Sequence, residues 1–171
     1  QAVNLSSEIQ TITYNFTARL EDNRPGSPYG DCDHGVDTSV TVYVNPTPDF
    51  DVAITDTLVC DSSVVNISVT DAMGQVSGEK IYDLIVTPDP GISPAGISSG
   101  GRFNLGEPVI DTLVNLSNEV QTVSYYFRAR LIDDRAGSDY GECDNYADTT
   151  IIVYVNPTPD FTVSANDTIV C

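Results

Sequence analysis

The sequence predicts an all-β protein built from repeated two-sheet modules, and three observations lead there. The nonapeptide VYVNPTPDF stands at residues 42–50 and again at 153–161, 153 − 42 = 111 positions later. In the segments around it apolar residues return at every second position, the period of a strand with one buried face. No segment combines helical periodicity with helix caps.

The repeat extends well beyond the nonapeptide. Displaced by 111 positions, residues 3–60 fall on 114–171 without a gap, and 36 of these 58 pairs are identical. Solenoid repeats run to roughly 20–50 residues, so a period this long predicts an array of whole domains. Substitutions between the copies reveal the strand faces. In TITYNFTARL (11–20) and TVSYYFRARL (122–131), Ile12/Val123, Tyr14/Tyr125, Phe16/Phe127, Ala18/Ala129 and Leu20/Leu131 keep their character, whereas Asn15 becomes Tyr126 and Thr17 becomes Arg128. The retained set is the expected core face. SVTVYV (39–44) and TIIVYV (150–155) follow the same rule.

Five more segments read as strands: FDVAI (50–54), VVNISV (64–69), KIYDLIV (80–86), GRFNL (101–105) and VIDTLVNL (109–116). All are short, rich in β-branched residues and bounded by Gly, Pro, Asp or Ser. Seven or so strands in about 110 residues predict a β-sandwich of immunoglobulin type. The chain has no Trp, and its cysteines lie outside mid-strand positions. The expectation is therefore Ig-like in the broad sense, in tandem modules of about 111 residues joined by short proline linkers.

Pro46 and Pro48 cannot donate to a ladder, so they end a strand and hold the chain extended. Asn45, Pro46 and Pro48, and their counterparts Asn156, Pro157 and Pro159, are read as stiff joints between modules; the alternative is a strand terminator inside one domain. On the first reading residues 1–45 are the C-terminal part of one Ig-like repeat, 46–156 a complete repeat and 157–171 the start of the next. The flanking pieces are too small to bury a core alone, which predicts a longer native chain.

Lys plus Arg number 7 and Asp plus Glu 25, for a net charge of −18. Such a surface repels nucleic acid and anionic lipid, which need cationic contacts. No apolar run reaches the roughly 18 residues of a membrane span, so direct membrane insertion is not expected. The N-terminal residues show no secretory leader pattern.

Cys32 corresponds to Cys143 and Cys60 to Cys171, with no CxxC spacing. An even, recurring pair predicts a secreted disulfide protein. The expected bridge is Cys60–Cys143, whose loop of roughly 80 residues would stabilise by about 4–5 kcal/mol on the chain-entropy account. Cys32–Cys60, a staple across the proline joint, is the rival pairing, and free thiols are a third reading.

Asp133, Asp134, Asp139, Glu142, Asp144 and Asp148 crowd one connection, and Glu21, Asp22, Asp31, Asp33 and Asp37 its counterpart. Clustered oxygen ligands suit Ca²⁺, although the EF-hand pattern is missing and a solvated acidic loop is the commoner outcome of such a sequence. No metal is firmly predicted and no other cofactor. His34, the only histidine, is replaced by Asn145 in the second copy, and no nucleophile, base and orienter converge, so an enzyme is not expected. Lys80 is the only lysine, read as an ordinary strand lysine with its head in water.

VYVNPTPDF, then DTLVC (56–60) and VVNISVTDAMGQVSG (64–78), resembles the tandem Ig-like or PKD-like repeats of giant cell-surface adhesins of gliding Bacteroidetes, substrates of type IX secretion. The resemblance covers essentially the whole chain. It implies an extracellular filament attached to the bacterial outer membrane, driven along the cell surface in gliding motility and gripping the substratum. The recurring Asp-Thr-x strings also resemble the O-glycosylation motif of those bacteria, with Thr57, Thr112, Thr149 and Thr168 as acceptors; the plainer reading is that Asp-Thr starts strands. N-x-S/T sequons stand at Asn4, Asn15, Asn66, Asn115 and Asn166.

Three functions remain open from the sequence. One is a structural spacer in an adhesive stalk, each module adding roughly 30–40 Å, with neighbouring repeats of the same chain as partners. Another is a ligand- or glycan-binding module gripping surface polysaccharide or substratum, with Tyr29, Tyr126, Tyr140 and Tyr146 as its aromatics. The last is a polymer in which chains complete one another by strand donation.

Overall fold

A computed structural model describes residues 2–19, 25, 35–132 and 146–165. The chain divides into two compact units, residues 1–47 with 73–77, and residues 48–72 with 78–171. The described residues form strands, turns and irregular segments, with no helix.

In the first unit β1 (Gln10–Thr17) pairs antiparallel with β2 (Asp37–Val44), Gln10 facing Val44 and Thr17 facing Asp37. The register sets Ile12 against Val42 and Tyr14 against Val40, so the apolar residues share one face. Ile9 N–H donates to Gln75 O at 2.8 Å and Gly74 N–H to Ser7 O at 3.0 Å. The Asn45 amide completes the attachment of this segment, Nδ2–H to Ser77 O and Ser77 N–H to Oδ1, both at 2.9 Å. Gly74 is required by close approach, because a Cβ there would lie 2.8 Å from Glu8 Cγ and 3.1 Å from Ser7 O.

The second unit holds β3 (Phe50–Ile54), β4 (Leu58–Val59), β5 (Ser63–Asp71), β6 (Glu79–Pro88), β7 (Gly101–Asn104), β8 (Val109–Leu113), β9 (Gln121–Ile132) and β10 (Ala147–Val155). They form a three-stranded sheet, β3-β5-β8, and a five-stranded sheet, β4-β10-β9-β6-β7. Every pairing is antiparallel except β4 with β10. The five-stranded sheet ends on a two-residue strand and a four-residue strand, short edges that offer little template for foreign pairing.

Strand alternation produces the core. β9 buries Val123, Tyr125, Phe127, Ala129 and Leu131, and β10 buries Val153 and Val155. From the other sheet come Phe50, Val65, Ile67, Val69, Val109 and Leu113, and most of these side chains join one buried cluster fed by both sheets. Tyr82 stacks on Phe103 with ring centroids 5.3 Å apart and tilts against Phe127 at 5.8 Å. All nine segments expected to be strands contain strands, with TITYNFTARL trimmed to 11–17, GRFNL to 101–104 and VIDTLVNL to 109–113; Leu20 lies outside the described residues. β4 has no counterpart among the expected strands, since two residues carry no readable period.

Candidate functional site

Residues 156–159 are anchored within the second unit by the turns that flank β4. Asp56 Oδ1 accepts the Leu58 N–H at 2.9 Å, an Asx turn that launches β4. Tyr154 N–H then donates to Thr57 O at 2.7 Å and Asn156 N–H to Val59 O at 2.9 Å, fastening β4 to the end of β10. The chain reverses immediately afterwards: Ser63 N–H reaches Cys60 O at 3.3 Å, with Ser62 left-handed at φ 61°.

That turn presents Asp61 to two donors. Its Oδ1 accepts Asn115 N–H at 2.7 Å and its Oδ2 accepts Thr158 Oγ1–H at 2.5 Å. The Thr158 bond first, and then the Asn115 bond, hold the carboxyl below its ordinary 3.8. An open groove of about 580 Å³ lies here, lined by Cys60, Asp61, Asn156, Pro157, Thr158 and Pro159. The threonine of NPTP is thus a hydrogen-bonding anchor between two prolines. Asp61 escaped the comparison of copies because its counterpart would fall at 61 + 111 = 172, one residue past Cys171.

Asn115 supports the same end of the unit. Its Nδ2 donates to Glu119 O and Val155 O, each at 2.8 Å, and its Oδ1 accepts Ser117 N–H at 2.9 Å and Ser117 Oγ–H at 2.8 Å. Asn4 makes the equivalent four bonds in the first unit, to Glu8 O, Val44 O, Ser6 N–H and Ser6 Oγ–H. The N-x-S sequence serves here as a side-chain knot that closes the loop before β1 and β9.

A second polar cluster lies in the core. Asp111 occupies the buried row of β8 between Val109 and Leu113. Its Oδ1 accepts Ser98 N–H at 2.9 Å and Ser98 Oγ–H at 2.6 Å, and its Oδ2 accepts the Tyr125 hydroxyl at 2.9 Å. Burial, followed by the Asp111 charge, pushes the Tyr125 phenol well up. The alternation Val109, Asp111, Leu113 was the available signal for a carboxylate on a core face.

The outer face of the five-stranded sheet carries a row of charge. Asp83 faces Arg102 on one side and Arg128 on the other, and Arg128 faces Asp148. Arg130 pairs with Asp83 at 2.8 Å, and the Arg128 guanidinium lies 3.8 Å from the Tyr146 ring centroid. Tyr126, beside this row, has its phenol pushed up by burial first and by the Asp148 charge second.

The expected site residues distribute as follows. Asn45 and Asn156 are half-buried, Pro46 and Pro48 buried, Pro157 half-buried and Pro159 exposed. Cys60 is exposed; its expected partner Cys143 lies outside the described residues, as do Cys32 and Cys171. Of the calcium candidates only Asp148 is described, exposed on β10, whereas Asp133, Asp134, Asp139, Glu142 and Asp144 lie outside the described residues. Among the described residues no group of three or more His, Cys, Asp or Glu could hold a metal. Thr57 is exposed, Thr112 is half-buried with its N–H bound to Gly96 O at 2.8 Å, Thr149 is half-buried opposite Phe127, and Thr168 lies outside the described residues. Tyr29, Tyr140 and His34 also lie outside them, and Lys80 forms an ion pair with Asp71 at 2.6 Å. Among the described residues no helix is long and apolar enough to cross a membrane. No protein-family model matches the chain, and no curated protein is found to be similar to it.

Proposed function

We propose that this chain is a stretch of tandem Ig-like β-sandwich modules of about 111 residues, acting as the structural spacer of a long cell-surface adhesin filament used in attachment and gliding motility. The observation that carries the reading is the unequal burial of equivalent residues. Tyr14 is 47% exposed and Phe16 54%, whereas their counterparts Tyr125 and Phe127 are fully buried. Phe50 is 8% exposed, and its counterpart Phe161 is 82% exposed. An isolated folded protein rarely exposes such a set, and a further module at each side would cover it. The strand order supports the same reading: two sheets, β3-β5-β8 and β4-β10-β9-β6-β7, with β4 parallel to β10, are what an Ig-like sandwich requires.

Function as a spacer then follows from mechanics. Short proline joints anchored by side-chain hydrogen bonds limit bending, and antiparallel sheets spanning each module resist extension. Secretion through the type IX route, an outer-membrane-attached position and a hold on the substratum come with the sequence resemblance and complete the proposal. The test is the size of the native polypeptide, by denaturing gel and mass spectrometry of source material. A chain of many repeats is the expected result, and a native chain ending at these 171 residues would sink the proposal.

One observation favours a second reading, a glycan-binding module. Tyr146 is half-exposed with Arg128 against its ring, and Tyr126 stands on the same outer sheet face. Specific binding on a glycan array, abolished by Tyr146→Ala, would transfer the function from spacer to ligand capture.

A further inference from the structure

The second unit repeats the groups that hold residues 73–77 in the first unit, and among the described residues nothing occupies them. In the first unit three positions do the holding: the Ser7 carbonyl, the Ile9 N–H and the Asn45 side-chain amide. Their counterparts at +111 are Asn118, Val120 and Asn156. The knot around Asn115 reproduces the knot around Asn4 bond for bond, and it fixes the loop 115–119 that carries the first of these groups. Asn156 is set by its own N–H bond to Val59 O. Among the described residues nothing bonds the Asn156 side chain, the Val120 N–H or the Asn118 carbonyl. Val120 is half-exposed, whereas Ile9 is partly covered.

We infer that Asn118, Val120 and Asn156 form a receiving edge for the segment of a following repeat that corresponds to residues 73–77. The inference rests on the tandem-repeat reading and names the contact that reading needs. The chemistry of the occupant follows from the first unit. It presents one backbone N–H to the Asn118 carbonyl and one backbone carbonyl to the Val120 N–H. It then offers an N–H and C=O of one residue to the Asn156 amide, which satisfies both at once. The residue nearest Glu119 must be glycine, because Gly74 packs against Glu8 with no room for a Cβ. An extended peptide with a bulky residue there is rejected by the same contact.

The test uses the full chain and the full chain lengthened in register by a copy of residues 61–171, with side-chain amide hydrogen exchange read by NMR. In the chain of 171 residues the Asn45 amide exchanges slowly and the Asn156 amide fast, by at least about tenfold. In the lengthened chain the Asn156 amide slows by a similar factor. Asn156→Ala then speeds exchange of the N–H equivalent to that of Ser77, while the added repeat keeps its dispersed core signals. A folded added repeat with Asn156 still exchanging fast overturns the inference and leaves the repeat reading standing. An added repeat that does not fold overturns the repeat reading, and the inference falls with it.

Discussion

The hydroxyl of Tyr125 donates to Oδ2 of Asp111 at 2.9 Å, joining β9 of the five-stranded sheet to β8 of the three-stranded sheet through a fully buried bond. Among the described residues Asp111 is the one buried carboxylate, and its remaining oxygen is satisfied by Ser98. A buried carboxylate that loses a donor bears the cost of its desolvation, so the bond matters more through its absence than through its net gain.

Tyr125→Phe, which leaves Asp111 Oδ2 without its donor, is expected to destabilise the second unit by about 1–3 kcal/mol. Asp111→Ala, which strands the phenol and both Ser98 donors and opens a void, is expected to cost about 2–4 kcal/mol. Urea unfolding followed by circular dichroism measures both. Changes within about 0.5 kcal/mol for the two variants would show that the bond is dispensable.

Alkaline pH should weaken the second unit through its buried phenols. Burial, and secondarily the Glu107 charge, pushes Tyr82 from 10.0 up to about 12, and its hydroxyl donates to Glu107 O at 2.8 Å. A raised folded value means that the stabilisation is complete below the unfolded value near 10 and is lost as pH rises toward 12. Tyr125 shifts in the same direction and steepens the loss. Melting temperature against pH should fall across this window, and phenolate absorbance should show a late-titrating fraction. Simple titration of all nine tyrosines near 10 would contradict the burial.

Asp61 predicts an acid-side effect of opposite sign. Its folded value is lowered by Thr158 and Asn115, so its contribution is present above 3.8 and is lost as pH falls through the lowered value. Thr158→Ala should move the Asp61 titration back toward 3.8 and make the chain after Asn156 more susceptible to protease. Carboxyl NMR follows the first effect and limited proteolysis the second. An Asp61 that titrates at 3.8 with Thr158 intact would remove the anchor from the account.

Glycosylation, if the chain is produced in a host that modifies Asp-Thr motifs, should distinguish two sites that the sequence makes equal. Thr57 is exposed beside an exposed Asp56, whereas Thr112 is half-buried beside the buried Asp111. Glycopeptide mass spectrometry is expected to find sugar on Thr57 and none on Thr112. Occupancy of Thr112 in folded protein would be incompatible with the β8 environment described above.

Non-reducing peptide mapping should recover Cys60 joined to Cys143. Closing a loop of roughly 80 residues, this bridge is expected to add about 4–5 kcal/mol, lost on reduction. Recovery of Cys32 joined to Cys60 would establish the staple across the proline joint instead.

The sequence by itself determined all strands but β4 and, in the second unit, the faces they bury. A one-sided strand has a period of two, and the repeat exposed that period by keeping Tyr125, Phe127 and Ala129 apolar while their neighbours changed. It also located the NPTP segment, because proline leaves a local signature. Only the tertiary structure decided which polar residues matter. Asp61 and Thr158 are 158 − 61 = 97 positions apart, and Asp111 and Tyr125 sit on different sheets. No local pattern encodes such pairs, because the partner that makes each carboxylate tolerable arrives only when the sheets close. The two-residue β4 went unread for the same reason: its bonds to β10 come from a distant strand, and propensity has no part in them.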